Sequence, residues 1–172
     1  MKKVVLFGLL GGVLLGGLLS ASSYAVHLAG QNPVGALEFS FLWPLYLVVM
    51  GGTLFYFRNY HNKGELYTGP ALLMALLINL IGAGLYALYV YGLFSSSPET
   101  LTLWQEQMIA VWERTAEGMA APDIEGGTAA LRQTPPSKIA TDKLLKVSVM
   151  GLFFTLVIGF AFRRRTQARN QR

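Results

Sequence analysis

Four long uncharged runs, separated by loops of opposite charge character, constrain this chain more than anything else in it. They cover Val4 to Leu37, Phe39 to Phe57, Leu66 to Pro98 and Val147 to Phe162. A hydrocarbon core of roughly 30 Å needs about 20 helical residues. Four transmembrane helices are therefore expected, at about 4–27, 37–57, 69–94 and 143–163. The last run becomes long enough once Leu144 and Leu145 are included and the Lys146 stem extends toward the headgroups.

The basic residues give the orientation, because cytoplasmic loops collect Lys and Arg. Lys2 and Lys3 precede the first span, Arg58 and Lys63 separate the second from the third, and Arg163, Arg164, Arg165, Arg169 and Arg172 follow the fourth. The segment Leu28 to Ala36 carries no charge, and Ser95 to Asp142 holds seven acids against Arg114, Arg132 and Lys138. Both termini are thus expected in the cytoplasm, with the loop 95–142 outside and 164–172 as a basic tail near the headgroups. The net charge of +5 is spread over three short anchoring segments, which excludes a nucleic-acid partner as its explanation.

A chain of 172 residues with four spans has room for a single membrane domain, residues 1–172, and no separate soluble one. The absence of cysteine excludes disulfides, thiol nucleophiles and cysteine metal sites. The first span has a second reading. Lys2 and Lys3, the apolar run to Leu19 and the small residues from Ser20 to Ala25 also fit a cleaved signal peptide. Against cleavage stand Gly8, Gly12 and Gly16, which continue to Ser20 at four-residue spacing and place a groove of small residues on one face. A signal peptide needs no such groove, so a retained span is expected.

Similar ladders recur. The third span shows Ala71, Ala75, Asn79, Ala83 and Ala87, and the fourth shows Gly151, Thr155 and Gly159. The second places Ala36, Ser40, Pro44 and Gly52 on one face, with Pro44 expected to kink it. In lipid, close van der Waals contact and polar bonds must hold helices together, so these faces mark packing within the bundle or, alternatively, a homo-oligomer.

Polar groups at membrane depth are the places to look for function. Asn79 lies about midway along the third span and is expected to bond a neighbouring helix or a water. Glu38 opens the second span near the outer interface, where Lys143 and Lys146 enter, and an ion pair there would serve anchoring or transport. His27 and His61 belong to opposite membrane faces and cannot share a metal or a haem. No phosphate-binding Gly-rich loop, His-Glu-x-x-His or Gly-x-Ser-x-Gly pattern occurs, so no catalytic, cofactor or metal residues are assigned.

The outer loop holds the clearest soluble signal. Ser97, Pro98 and Glu99 make a helix start. From there Leu101, Trp104, Met108, Val111, Trp112, Thr115 and Met119 fall within about a 100° arc, opposite Glu99, Glu106, Glu113 and Glu117. An amphipathic helix is expected at about 98–119. The outer leaflet, the bundle itself or a partner would cover its apolar face, and one arginine against four glutamates favours protein over anionic lipid. Leu101, Trp104, Met108, Val111 and Trp112 are the candidate partner face. Asp123 to Ser137, with its Gly and Pro pairs, reads as a flexible return to the membrane.

Taken in order, these parts resemble a family of small bacterial inner-membrane proteins known only as a domain of unknown function. The likeness rests on Met-Lys-Lys before a Gly-rich span, Gly52 with Tyr56 to Arg58, Gly64, Tyr67 to Ala71, Tyr86 to Tyr91, Pro135-Pro136 and Arg163 to Arg165. It covers nearly the whole chain, although the linker after Met119 is richer in Gly and Pro than the likeness implies. The resemblance implies the four-span fold and the inner membrane, and it carries no activity. The leading expectation is a non-enzymatic accessory or assembly protein in contact with lipid and with other subunits or copies of itself. The alternative is a transporter or channel for small solutes using Asn79, Glu38 and the Pro44 kink. A lipid-modifying enzyme would need a nucleophile and a base at one depth, which the spans do not supply.

Overall fold

The computed structural model describes residues 1–116 and 123–162, the side chains of 36–39 excepted, and every regular element among them is helical. The helices are α1 Lys2–Leu28, α2 Ala36–Tyr56, α3 Thr68–Ser96, α4 Pro98–Ala116, α5 Ile124–Arg132 and α6 Pro136–Ala161. A single π-helical turn, Phe57–His61, continues α2. Four segments, α1, Ser40–His61, α3 and α6, are long and apolar enough to cross a membrane. Their outward faces carry Leu10, Val13, Val48, Phe55, Leu88, Val149 and Phe153 in the open, an apolar belt far larger than a water-soluble surface carries. The chain is a multi-pass, all-helical membrane protein.

α3 is the centre of the bundle, with α1 and α6 as its main neighbours and α2 reaching all three. Its approach to α1 is set by the absence of side chains. A Cβ added at Gly8 would lie 2.8 Å from the Leu77 Cβ, one at Gly12 2.6 Å from that of Ile81, and one at Gly16 2.7 Å from that of Leu85. Backbone carbonyls of Met74, Ile78 and Gly82 stand 3.1–3.4 Å from the same points. Because both series advance by four residues, each glycine of α1 receives one large side chain of α3 per turn, and the two helices run parallel. The glycine ladder is therefore filled from within the chain.

On its other side α3 meets α6 with the opposite sense. Gly151 lies against Asn79, and a Cβ at Gly159 would fall 2.6 Å from the Leu72 Cδ2. Ala71, Ala75, Ala83 and Ala87, in register with Asn79, are buried on the same face. Thr155 returns its hydroxyl to the Gly151 carbonyl at 2.9 Å, so its polarity is spent within its own helix.

The helix ends follow from local chemistry. α1 closes with Gly30 at φ +71, while Gly30 N–H donates to His27 O and Gln31 N–H to Val26 O, a Schellman arrangement that a left-handed glycine permits. α4 starts one residue after α3. The Ser97 hydroxyl accepts from Thr100 N–H at 3.4 Å and Pro98 occupies the first turn, as the sequence led us to expect.

The stretch expected to be a flexible return is instead α5. Asp123 caps it by accepting from Gly126 N–H at 2.9 Å, and Gly127 lies directly against the Trp112 indole, where no side chain fits. Pro135 and Pro136 then open α6, about two turns ahead of the expected span start near 143. Exchanging Gly12 for Ala should destabilise the bundle by about 1–3 kcal/mol through overpacking against Ile81. Gly17→Ala, whose added methyl meets nothing within 4 Å, should leave the thermal midpoint in detergent unchanged. Equal midpoints for the two variants would contradict this packing.

Candidate functional site

Two polar constellations hold the bundle, one inside it and one at its α4 end. The inner one is built by α2, α3 and α6. Asn79 and Tyr46 are both fully buried. The Tyr46 hydroxyl donates to Asn79 Oδ1 at 2.8 Å and also lies 3.3 Å from the Val147 carbonyl, and Asn79 Nδ2 donates to the Ser148 carbonyl at 3.0 Å. Gly151 gives the amide its space, since a Cβ there would overlap it and stand 2.7 Å from the Tyr46 ring. Phe154 stacks on that ring at 5.6 Å and 17°, which seals the node from one side.

Chemically this node is a clamp. An unpaired amide in an apolar interior costs several kcal/mol, so the Tyr46 hydroxyl and the Ser148 carbonyl hold α2 and α6 in register with α3. Asn79 is thus placed as an interhelical bond. Tyr46, its main partner, carried no signal in the sequence, because one tyrosine in an apolar run reads as packing.

The second constellation ties α4 to the loop 29–35. The Asn32 amide, nearly buried, donates to Gln107 Oε1 at 2.9 Å while its Oδ1 accepts from Val34 N–H at 3.1 Å. Ser23 Oγ donates to the Pro33 carbonyl at 2.9 Å, and Lys143 Nζ donates to the Val34 carbonyl at 2.8 Å. Three helices therefore hold one short loop. Trp104 adds an edge-to-face contact with Phe94 at 6.4 Å, and Gln105 Nε2 reaches the Arg132 carbonyl at the end of α5.

These contacts cover most of the apolar face of α4 from within the chain. Leu101 and Trp104 pack on the bundle core, Met108 is half-buried, and Trp112 lies against α5. Val111 is 53% exposed, so it departs from the buried set. Glu99, Glu106 and Glu113 face outward, while Glu117, Gly118 and Met119 lie outside the described residues. The Trp112 Nε1 and Thr128 Oγ1 atoms are buried without a hydrogen-bond partner among the described residues.

Asn79 and Lys146, two of the three candidate polar residues, stand in different environments. Asn79 is enclosed, Lys146 is exposed on α6, and the Glu38 side chain lies outside the described residues, as does 163–172. His27 sits near Tyr24 late in α1 and His61 rests on Phe7 early in it, some 20 residues or about 30 Å of helix apart. No group of three or more His, Cys, Asp or Glu stands close enough to hold a metal among the described residues.

A family model described as a protein of unknown function (DUF4199) matches residues 7–164. The chain belongs to that family. No curated protein and no solved structure matches it. The match to the DUF4199 model takes in the α1–α3 packing, the Asn79 node and the α4–α5 cap alike, so all three lie inside the family's own extent.

In a double-mutant cycle, Tyr46→Phe and Asn79→Ala should each lower stability. Their combined effect should fall short of the sum by about 0.5–2 kcal/mol, the range for polar pairs between membrane helices. Additive losses, measured by unfolding in mixed micelles, would mean the two side chains do not act together.

Proposed function

We propose that this protein is a non-enzymatic accessory or assembly component of a bacterial inner membrane, and that its working surface is the cap made by α4 and α5. The observation supporting this is the fixed seating of the cap. Asn32 with Gln107, Phe94 with Trp104 and Gln105 with the α5 carboxyl end give it one orientation on the bundle. A segment held this firmly, with Glu99, Glu106, Glu113 and Val111 exposed, is suited to present a surface.

Charge distribution supports an outward cap. Lys2, Lys3, Arg58 and Lys63 stand at the opposite end of the bundle, the side that cytoplasmic loops favour. A partner with a basic, partly apolar surface is the complement of this edge. A solute path through Asn79 has less support, because that amide and Tyr46 are enclosed and bonded to each other.

Replacing Glu106 and Glu113 together, as Glu106→Lys with Glu113→Lys, leaves Glu99 facing two lysines and so reverses the sign of the exposed edge without entering the core. Quantitative co-purification from native membranes should then lose at least one stoichiometric partner by about tenfold, equivalent to roughly 1.4 kcal/mol. If every co-purifying protein stays at its original ratio while the variant melts normally, the cap is not the working surface.

A further inference from the structure

The end of the bundle opposite the cap contains a basic pocket of about 510 Å³, lined in part by Lys2, Lys3, His61, Asn62 and Tyr67. Lys2 and Lys3 come from the start of α1, whereas His61 and Asn62 come from the π-helical turn and the residue after it. That turn is braced. Gly64 N–H donates to the Arg58 carbonyl at 2.8 Å, Arg58 Nε donates to the Gly64 carbonyl at 3.1 Å, and the Asn62 amide donates to the Glu65 carbonyl. Lys63 and Gly64 take left-handed backbone angles, φ 51 and 81, to close the loop. Among the described residues no carboxylate lines the pocket, and the nearby Glu65 accepts the Tyr67 hydroxyl at 3.3 Å.

A second hollow adjoins it. Between α1 and α2 runs an open apolar groove of about 370 Å³, lined by Leu10, Leu14, Leu18, Val48, Gly52 and Thr53 and begun by Phe7 and Tyr56. The His61 ring, a wall of the basic pocket, lies 4.7 Å from Phe7 and 5.5 Å from Tyr56. The polar and apolar hollows thus meet across one aromatic cluster. From Phe7 to Leu18 the groove follows eleven residues of helix, about 16 Å. Half of a hydrocarbon core is about 15 Å.

We propose that this composite site holds one anionic phospholipid, its phosphate among Lys2, Lys3, His61 and Asn62 and one acyl chain along the α1–α2 groove. Basic pockets between membrane helices recognise anionic headgroups, and two ammonium groups beside imidazole and amide donors supply the charge and hydrogen bonds a phosphate needs. The groove's length selects a lipid over a second helix. A transmembrane helix needs about 20 residues of contact depth, whereas this groove ends at Leu18, well short of Leu28. Gly52 keeps it open, since a Cβ there meets nothing within 4 Å.

The test is native mass spectrometry of the full chain, tagged at its C-terminus, with phosphatidylglycerol and phosphatidylcholine of identical acyl chains supplied in equal amounts. Phosphatidylglycerol should be retained at single occupancy with a preference of at least about tenfold. Lys2→Gln with Lys3→Gln should abolish the preference, and Gly52→Leu, which keeps every charge but fills the groove, should reduce retention of the lipid itself. Melting curves check that both variants remain folded. Equal retention of the two lipids, unaltered binding in Gly52→Leu, displacement by millimolar inorganic phosphate, or a dimer mass in place of the lipid adduct would each overturn the proposal.

Discussion

In a lipid environment helices gain little from hiding apolar surface, so the bundle depends on how closely α1 and α3 can approach. That distance is set by three missing methyl groups. At Gly8, Gly12 and Gly16 the α1 backbone becomes the wall against which Leu77, Ile81 and Leu85 rest. A pair of touching heavy atoms contributes only about 0.1–0.2 kcal/mol, so no single contact dominates. The sum holds only while the helices stay parallel and in register. Once α3 is fixed on α1, its opposite face, rich in alanine and bearing Asn79, is aimed at α2 and α6.

Asn79 then does what a row of alanines cannot. Dispersion permits small slips along a smooth face, whereas an amide enclosed in hydrocarbon tolerates one arrangement of donors and acceptors. The Tyr46 hydroxyl and the Ser148 carbonyl supply it, and Gly151 leaves the room. Shape and polarity thus divide the work: glycines on α1 set spacing, and one amide on α3 sets register. The α4 end repeats the logic with Asn32, whose two amide atoms join a loop to α4.

Much of this is legible in the sequence, because the signals are local and periodic. The apolar runs named four membrane-crossing helices, four-residue spacing marked Gly8, Gly12, Gly16 and Gly151 as close-approach positions, and Ser97-Pro98-Glu99 announced α4. What escaped the reading depends on contacts distant in sequence. Gly126 and Gly127 look like a linker since glycine disfavours helix, yet the Asp123 cap and the fit of Gly127 on the Trp112 indole make α5. The π-helical turn at Phe57–His61 has no periodic mark, and the bonds between Arg58 and Gly64 that brace the loop after it join residues the sequence does not pair. Val111 lay on the apolar arc of α4 but faces outward, because the bundle and α5 cover less of that arc than the helix offers.

The loop 29–35 is held by partners that arrive much later in the chain. Asn32 bonds a residue 75 positions downstream, and the Val34 carbonyl bonds one 109 positions downstream. During synthesis the first hairpin must enter the membrane with the Asn32 and Val34 groups still bonded to water, because Gln107 and Lys143 have yet to be made. Long-range pairings of this kind form late in folding. The Ser23 bond to the Pro33 carbonyl and the Asn32 bond to the Val34 N–H can shape the loop within the first hairpin, whereas its attachment to α4 and α6 waits until the last helix has joined the bundle.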